Sequence, residues 1–162
     1  MSSPYDFKRI TPSVYGYRRP VKGEIVALLH VYFKDRGLEL IETKSRALCK
    51  DEIHELMITD EEGAAPGGGA ERVRAIAFFE IKQPGLIVVG DKVSIQDKKL
   101  GKVAGYDETH MPNHMNILIK SDSVEEPLIK VGDEVEFHWT YPLSGPPRPN
   151  MPSIFSFLLL LP

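Results

Sequence analysis

The sequence predicts a mainly β protein, a small closed or nearly closed six-stranded β-barrel with extended N- and C-terminal arms. Runs rich in β-branched and aromatic residues alternate with Gly-containing turns, most clearly in RVRAIAFFEI over residues 72–81. A phrase of the form L-I-x-V-G-D-x-V-x-apolar occurs twice, at residues 86–95 and 128–137. Glycines also interrupt the strand LGKVAGYD at residues 100–107, as expected at bulges or barrel corners.

The chain of 162 residues suits one domain with arms. Residues 1–20 contain three prolines and no clear periodicity, so we interpret them as an N-terminal arm. The barrel domain is predicted over 21–141. Residues 142–162 form a Pro-rich C-terminal arm that ends in an apolar tail.

Composition argues against several classes of protein. The net charge of -3 is unlike that of a dedicated nucleic-acid-binding protein, and the basic cluster of Arg18, Arg19 and Lys22 beside Tyr15 and Tyr17 is small. No apolar run reaches the roughly 18 residues of a membrane span. The chain has one cysteine and no signal-peptide pattern, which favours a cytoplasmic location.

The first half of the domain is predicted to start with a long strand, VKGEIVALLHVYF, at residues 21–33. The turn Asp35-Arg36-Gly37 then predicts a hairpin with a return strand from Leu38, since glycine tolerates positive φ. EIHELMIT at 52–59 is a further strand, and a Gly-rich loop at 60–71 leads into the strand at 72–81.

In the second half, each copy of the repeated phrase predicts a Gly-Asp turn followed by a strand, because an Asp side chain can accept bonds from the backbone N–H groups that follow it. Residues 96–99 predict a hairpin turn. A polar loop follows LGKVAGYD and precedes the strand NILIK at residues 116–120. The strand EVEFHWTYPL carries the single tryptophan.

The polar loop is the best candidate for a functional site. Asp107, His110 and His114 follow the spacing D-x2-H-x3-H, and imidazole and carboxylate are common zinc ligands. They converge if Met111-Pro112 makes a turn, and His54 or Glu55 from a separate strand can add a ligand or a base. The predicted metal ligands are therefore His110, His114, Asp107 and His54. The residues predicted to bind a ligand are Asp107, His110, Asn113, His114 and Asn116.

The same residues permit a purely structural interpretation. Asp107, Thr109, Asn113 and Asn116 are residue types that cap loops by bonding backbone N–H groups, and the histidines can simply be exposed. The sequence leaves both interpretations open. The first functional hypothesis is a ligand- or partner-binding module that forms oligomers, and the alternative is a divalent-metal-dependent enzyme.

Residues 56–120 resemble the glucitol/sorbitol-specific phosphotransferase IIA component, through LMITDEEGAAP, VVGDKVSIQDKKLGKVAGYDE and NILIKSD. The resemblance implies a closed six-stranded barrel and phosphate transfer through a histidine on the strand before the Gly-Asp turn. That strand, Ala75 to Lys82, has no histidine here. We therefore expect no phosphotransfer activity.

The C-terminal tail SIFSFLLLLP is too apolar to remain exposed on a monomer. It can return to its own barrel as a strand or dock on a neighbouring subunit. The proline-rich segment before it favours docking, so the sequence predicts a homo-oligomer.

Overall fold

The computed structural model describes residues 17–139, and seven of its strands form a closed, uneven ring. The ring strands are β1 (Val21–Phe33), β4 (Ile53–Thr59), β6 (Val73–Gln83), β8 (Lys92–Ile95), β9 (Lys98–Asp107), β10 (Asn116–Lys120) and β11 (Glu134–His138). Two small sheets pair β2 (Leu38–Glu39) with β5 (Gly69–Ala70) and β3 (Ser45–Leu48) with β7 (Gly85–Val88). The mainly β, barrel-like fold is confirmed.

The ring has seven strands rather than the six predicted. Its order is β1-β11-β8-β9-β10-β4-β6, and β6 pairs again with β1. The two short strands that follow the repeated turns, β8 and β11, pair with each other and so connect β9 to β1. All neighbours are antiparallel except β10 and β4, which run parallel.

Strand alternation divides the apolar side chains between two cores. Leu56, Phe79, Ile117 and Phe137 belong to the main cluster. Met57 and Leu118 alternate to the opposite side, where they pack with Leu38 and Leu40 in a second cluster. Strands β4, β6 and β10 are therefore apolar on both faces, which explains why RVRAIAFFEI lacks a polar side.

The predicted hairpin at residues 35–37 is wrong in its pairing. Gly37 has the expected positive φ of 59°, but the short strand after it, β2, pairs with β5 and not with β1. Next to the turn, β1 pairs with β6 up to Phe33, whereas β11 pairs only with residues 21–24 at the far end of β1.

The repeated phrase forms two equivalent turns, as predicted. Gly90 and Gly132 have φ angles of 95° and 93°. In the first turn, Asp91 Oδ2 accepts the Val88 N–H at 2.8 Å. In the second, Asp133 Oδ2 accepts the Lys130 N–H at 2.9 Å. Each carboxylate therefore bonds an N–H group that precedes it, and not one that follows it as predicted.

Glycine is required at one of the predicted corners in β9. A Cβ at Gly101 would lie 2.1 Å from the backbone oxygen of Lys120. The pairing of β9 with β8 shifts register next to Gly101, and its pairing with β10 shifts next to Gly105. Both glycines thus mark irregularities where the barrel wall bends.

Residues 1–16 of the predicted N-terminal arm, and all of the predicted C-terminal arm at 142–162 with its apolar tail, lie outside the described residues. Tyr15 of the basic cluster lies outside them as well. Between residues 17 and 139, no helix is long and apolar enough to cross a membrane.

Candidate metal centre

The loop between β9 and β10 is tied down at both ends. Near its start, Arg46 on β3 forms an ion pair of 2.8 Å with Glu108. At its end, the Met115 N–H donates to Nδ1 of His54 on β4 at 3.3 Å. The Met111-Pro112 bond in the middle is cis, and the segment forms the predicted turn. The loop is therefore held against β4.

Strand pairing determines which side chain of β4 faces this loop. In the parallel pairing of β10 with β4, Asn116 lies opposite Glu55, and on the other side of β10 it lies opposite Asp107. Paired residues in a sheet project to the same face. Glu55, Asn116 and Asp107 therefore form one cross-strand row beneath the loop.

Glu55 and His114 are in direct contact. Oε2 of Glu55 lies 3.2 Å from Nε2 of His114, and the two side chains are only 11% and 14% exposed. Phe78 packs edge-on against the His114 ring, with ring centroids 5.0 Å apart. A charged group and an imidazole are thus brought together in a partly desolvated site, where their interaction is stronger than in water.

His110 completes a group of three potential ligands. Its ring stacks on that of His114, with centroids 4.9 Å apart and an interplanar angle of 26°. One ligand atom from each of Glu55, His110 and His114 lies within 4.8 Å of the others. The His110 side chain is exposed, so it can rotate towards the other two.

These distances are compatible with zinc after a small adjustment. With bonds of about 2.1 Å and tetrahedral angles, neighbouring ligand atoms on zinc lie about 3.4 Å apart. Glu55 and His114 already meet this spacing. Three protein ligands leave one position for water or a bound molecule, as in catalytic rather than structural zinc sites.

Both ring nitrogens of His114 face an oxygen atom. Nε2 faces Glu55, and Nδ1 lies 2.8 Å from Oδ1 of Asn113. A neutral imidazole has one N–H, so one contact needs a second ring proton, a rotated Asn113 amide or a cation between Nε2 and Glu55. A cation there leaves Nδ1–H to donate to Asn113, which is the usual arrangement of a metal-bound histidine.

Asp107, predicted as a metal ligand, and Asn116, predicted to bind a small ligand, bond to each other in the row beneath the loop. Asp107 Oδ1 accepts from the Asn116 amide at 2.8 Å, and its Oδ2 accepts from the Thr109 hydroxyl at 2.8 Å. Asp107 therefore acts here as the loop-capping residue of the structural interpretation. Oδ1 of Asn116 is buried and has no hydrogen-bond partner among the described residues.

His54 is also near the site, but both its nitrogens are engaged. Nδ1 accepts the Met115 N–H, and Nε2 faces Glu52 at 3.2 Å. Burial lowers the pKa of His54, and the neighbouring Glu52 carboxylate only partly opposes this. A neutral His54 thus positions the end of the loop rather than joining Glu55, His110 and His114.

The sequence had suggested Glu55 only as an assisting residue. Glu55 lies close to the two histidines because β4 pairs in parallel with β10. This pairing joins two strands that are far apart in the chain, so it cannot be read from the sequence. The alternation of EIHELMIT puts Glu55 and Met57 on one face of β4. That alternation was the only feature of the sequence that gave the orientation of the Glu55 side chain.

Comparison with known proteins gives one match. The model of the family of unknown function DUF6917 matches residues 15–138. The chain belongs to this family. No curated protein and no solved structure matches the chain. For the DUF6917 chain, the resemblance to the phosphotransferase IIA component therefore has no support from the comparisons.

Proposed function

We propose that this DUF6917 protein binds a divalent transition-metal cation, zinc in the first instance, through Glu55, His110 and His114. The observation that carries the proposal is the convergence of these three side chains within 4.8 Å. The partly buried contact of Glu55 with His114 supports it, because a carboxylate facing an imidazole nitrogen needs a proton or cation between them.

The proposed ligand set shares His110 and His114 with the set predicted from sequence. Glu55 takes the place of Asp107, whose two oxygens bond Thr109 and Asn116. His54 and Asn113 take positioning roles, through the loop backbone and through His114 respectively. Such outer contacts orient the ligands of a metal site.

What the metal site does depends on what occupies the fourth coordination position, which the three protein ligands leave open. A small ligand with a carboxylate or another oxygen donor can complete the shell, which makes the barrel a metal-dependent binding module. The alternative is an enzyme in which the metal lowers the pKa of a bound water and so provides a nucleophile. Both start from the same metal-loaded site.

Metal analysis of the purified full chain tests this proposal. After chelator treatment and dialysis against zinc, we expect one zinc per chain, and less than a tenth of that in His110→Ala and His114→Ala. His30→Ala is the matched control, because His30 is an exposed histidine that pairs with Glu126 on another part of the surface. Absence of stoichiometric zinc in the wild type, or equal zinc in all variants, would overturn the proposal.

Self-association is a second proposal, and it comes from the sequence. The apolar residues 154–161 lie outside the described residues. Deleting residues 150–162 should lower the particle mass measured by light scattering, and an unchanged mass would contradict this role of the tail. The cytoplasmic location predicted from the single cysteine stays a prediction.

A further inference from the structure

The two Gly-Asp turns are equivalent in more than their own backbone. Gly90 N–H donates to the oxygen of Val103 on β9, and Val103 N–H donates back to the oxygen of Asp91. Gly132 and Asp133 make the same reciprocal pair of bonds with Ile25 on β1. Each turn is therefore docked in the same way on the strand next to it.

The first turn contains a bound guanidinium. Arg18 donates to both carboxylate oxygens of Asp91 at 2.7 Å and to the oxygen of Leu86 at 2.9 Å. The Arg18 and Asp91 side chains are 9% and 4% exposed. This two-pronged geometry is specific to arginine, since a lysine ammonium lacks the planar fork.

The second turn has a carboxylate in the equivalent position, beside a cavity. The counterparts of Leu86 and Asp91 are Leu128 and Asp133, and both line a cavity of about 350 Å³. Asp133 is only 5% exposed. Its Oδ2 accepts the Lys130 N–H, while within residues 17–139 no cationic side chain pairs with the carboxylate. A buried carboxylate is stable when a cation or hydrogen-bond donors satisfy it.

We propose that the cavity at Asp133 binds a guanidinium group, the side chain of an arginine, in the way that the Asp91 turn binds Arg18. The inference is independent of the metal site, because it depends on the internal repeat. Two lysines, Lys98 and Lys130, line the same cavity. They select for a segment in which acidic residues flank the arginine, since these offset the repulsion between the lysines and the guanidinium.

Titration of the full chain with a defined peptide tests this inference. The probe is acetyl-Glu-Arg-Glu-amide, followed by amide chemical shifts in two-dimensional NMR. We expect saturable shifts at Leu128, Gly132 and Asp133. The same peptide with citrulline, which keeps the shape and loses the charge, and the lysine peptide should each bind at least fivefold more weakly. Asp133→Asn keeps an acceptor for the Lys130 N–H and should weaken binding of the arginine peptide at least fivefold.

Arg18→Ala provides an internal comparison, since it exposes the equivalent acceptors at Asp91. In that variant we expect a second set of shifts around Val88 and Gly90. Shifts confined to the Asp91 turn, or shifts that Asp133→Asn leaves unchanged, would overturn the proposal. The absence of shifts at the Asp133 turn would overturn it if it held both in the wild type and in a variant that lacks Arg9 and Arg148.

A second experiment tests whether the guanidinium comes from the same chain or from another molecule. Arg9 and Arg148 lie outside the described residues, and each is a candidate source of the guanidinium within the same chain. The arginine peptide is titrated into the wild type and into the double variant in which both arginines are changed to alanine. Binding that appears only in the double variant assigns the cavity to one of these two arginines, and equal binding in both proteins assigns it to an external segment.

Discussion

Oε2 of Glu55 and Nε2 of His114 lie 3.2 Å apart, although 59 positions separate the two residues in the chain. The parallel pairing of β4 with β10 produces this contact, because it places Glu55 beside the strand that the histidine loop enters. The contacts of the loop with Arg46 and His54 then hold His110 and His114 above Glu55.

Glu55→Gln should weaken zinc binding more than the same substitution at Glu52, the residue before β4. The amide keeps the size of the side chain but loses the negative charge that binds the cation. We expect the dissociation constant for zinc to rise by at least about tenfold, measured by calorimetry in a zinc buffer. Glu52→Gln is the control, since Glu52 contacts His54 and not His114, and an equal loss in that variant would contradict a direct role of Glu55.

Asn113→Ala should weaken zinc binding without removing a ligand. The Oδ1 atom of Asn113 lies 2.8 Å from Nδ1 of His114 and thereby fixes the orientation of the ring. Loss of such a contact commonly costs about 10- to 100-fold in metal affinity. Asn113→Asp keeps the acceptor and should retain most of the affinity. Equal binding by the alanine variant and the wild type would show that Asn113 does not orient His114.

Arg18→Ala should destabilise the fold strongly. The substitution leaves the Asp91 carboxylate buried without its cation, and such changes typically cost about 3–5 kcal/mol. Urea unfolding followed by tryptophan fluorescence measures the difference. Lys99→Ala removes an exposed pair with Asp122 and serves as the control with little expected effect. Similar unfolding midpoints for both variants would contradict the structural role of Arg18.

Gly101→Ala should destabilise the barrel wall, because its Cβ would lie 2.1 Å from the Lys120 oxygen and the two strands would have to separate. We expect a loss of about 1–3 kcal/mol, read from the same urea curves. At Gly63 a Cβ has nothing within 4 Å, so Gly63→Ala is the matched control. A Gly101→Ala variant as stable as this control would show that β9 and β10 can move apart at little cost.

Local patterns were sufficient for strand β6 and for the two Gly-Asp turns. The alternation of residues 72–81 predicted β6, and the repeated V-G-D phrase predicted two equivalent turns with positive φ at Gly90 and Gly132. These features depend on contacts within a few residues. The pairing of the segment after Gly37 was predicted wrongly, because the hairpin signal is local, whereas the short strand β2 pairs with β5 from a later part of the chain.

The sequence by itself determined the β class, the Gly-Asp turns and the loop that carries His110 and His114, since backbone preference and residue type act over short distances. Only the tertiary structure decided that Glu55 joins the two histidines while Asp107 caps the loop, and that Arg18 pairs with Asp91. Each of these depends on which strands lie side by side in the ring. That arrangement results from packing the whole chain around two apolar cores, and no single segment encodes it.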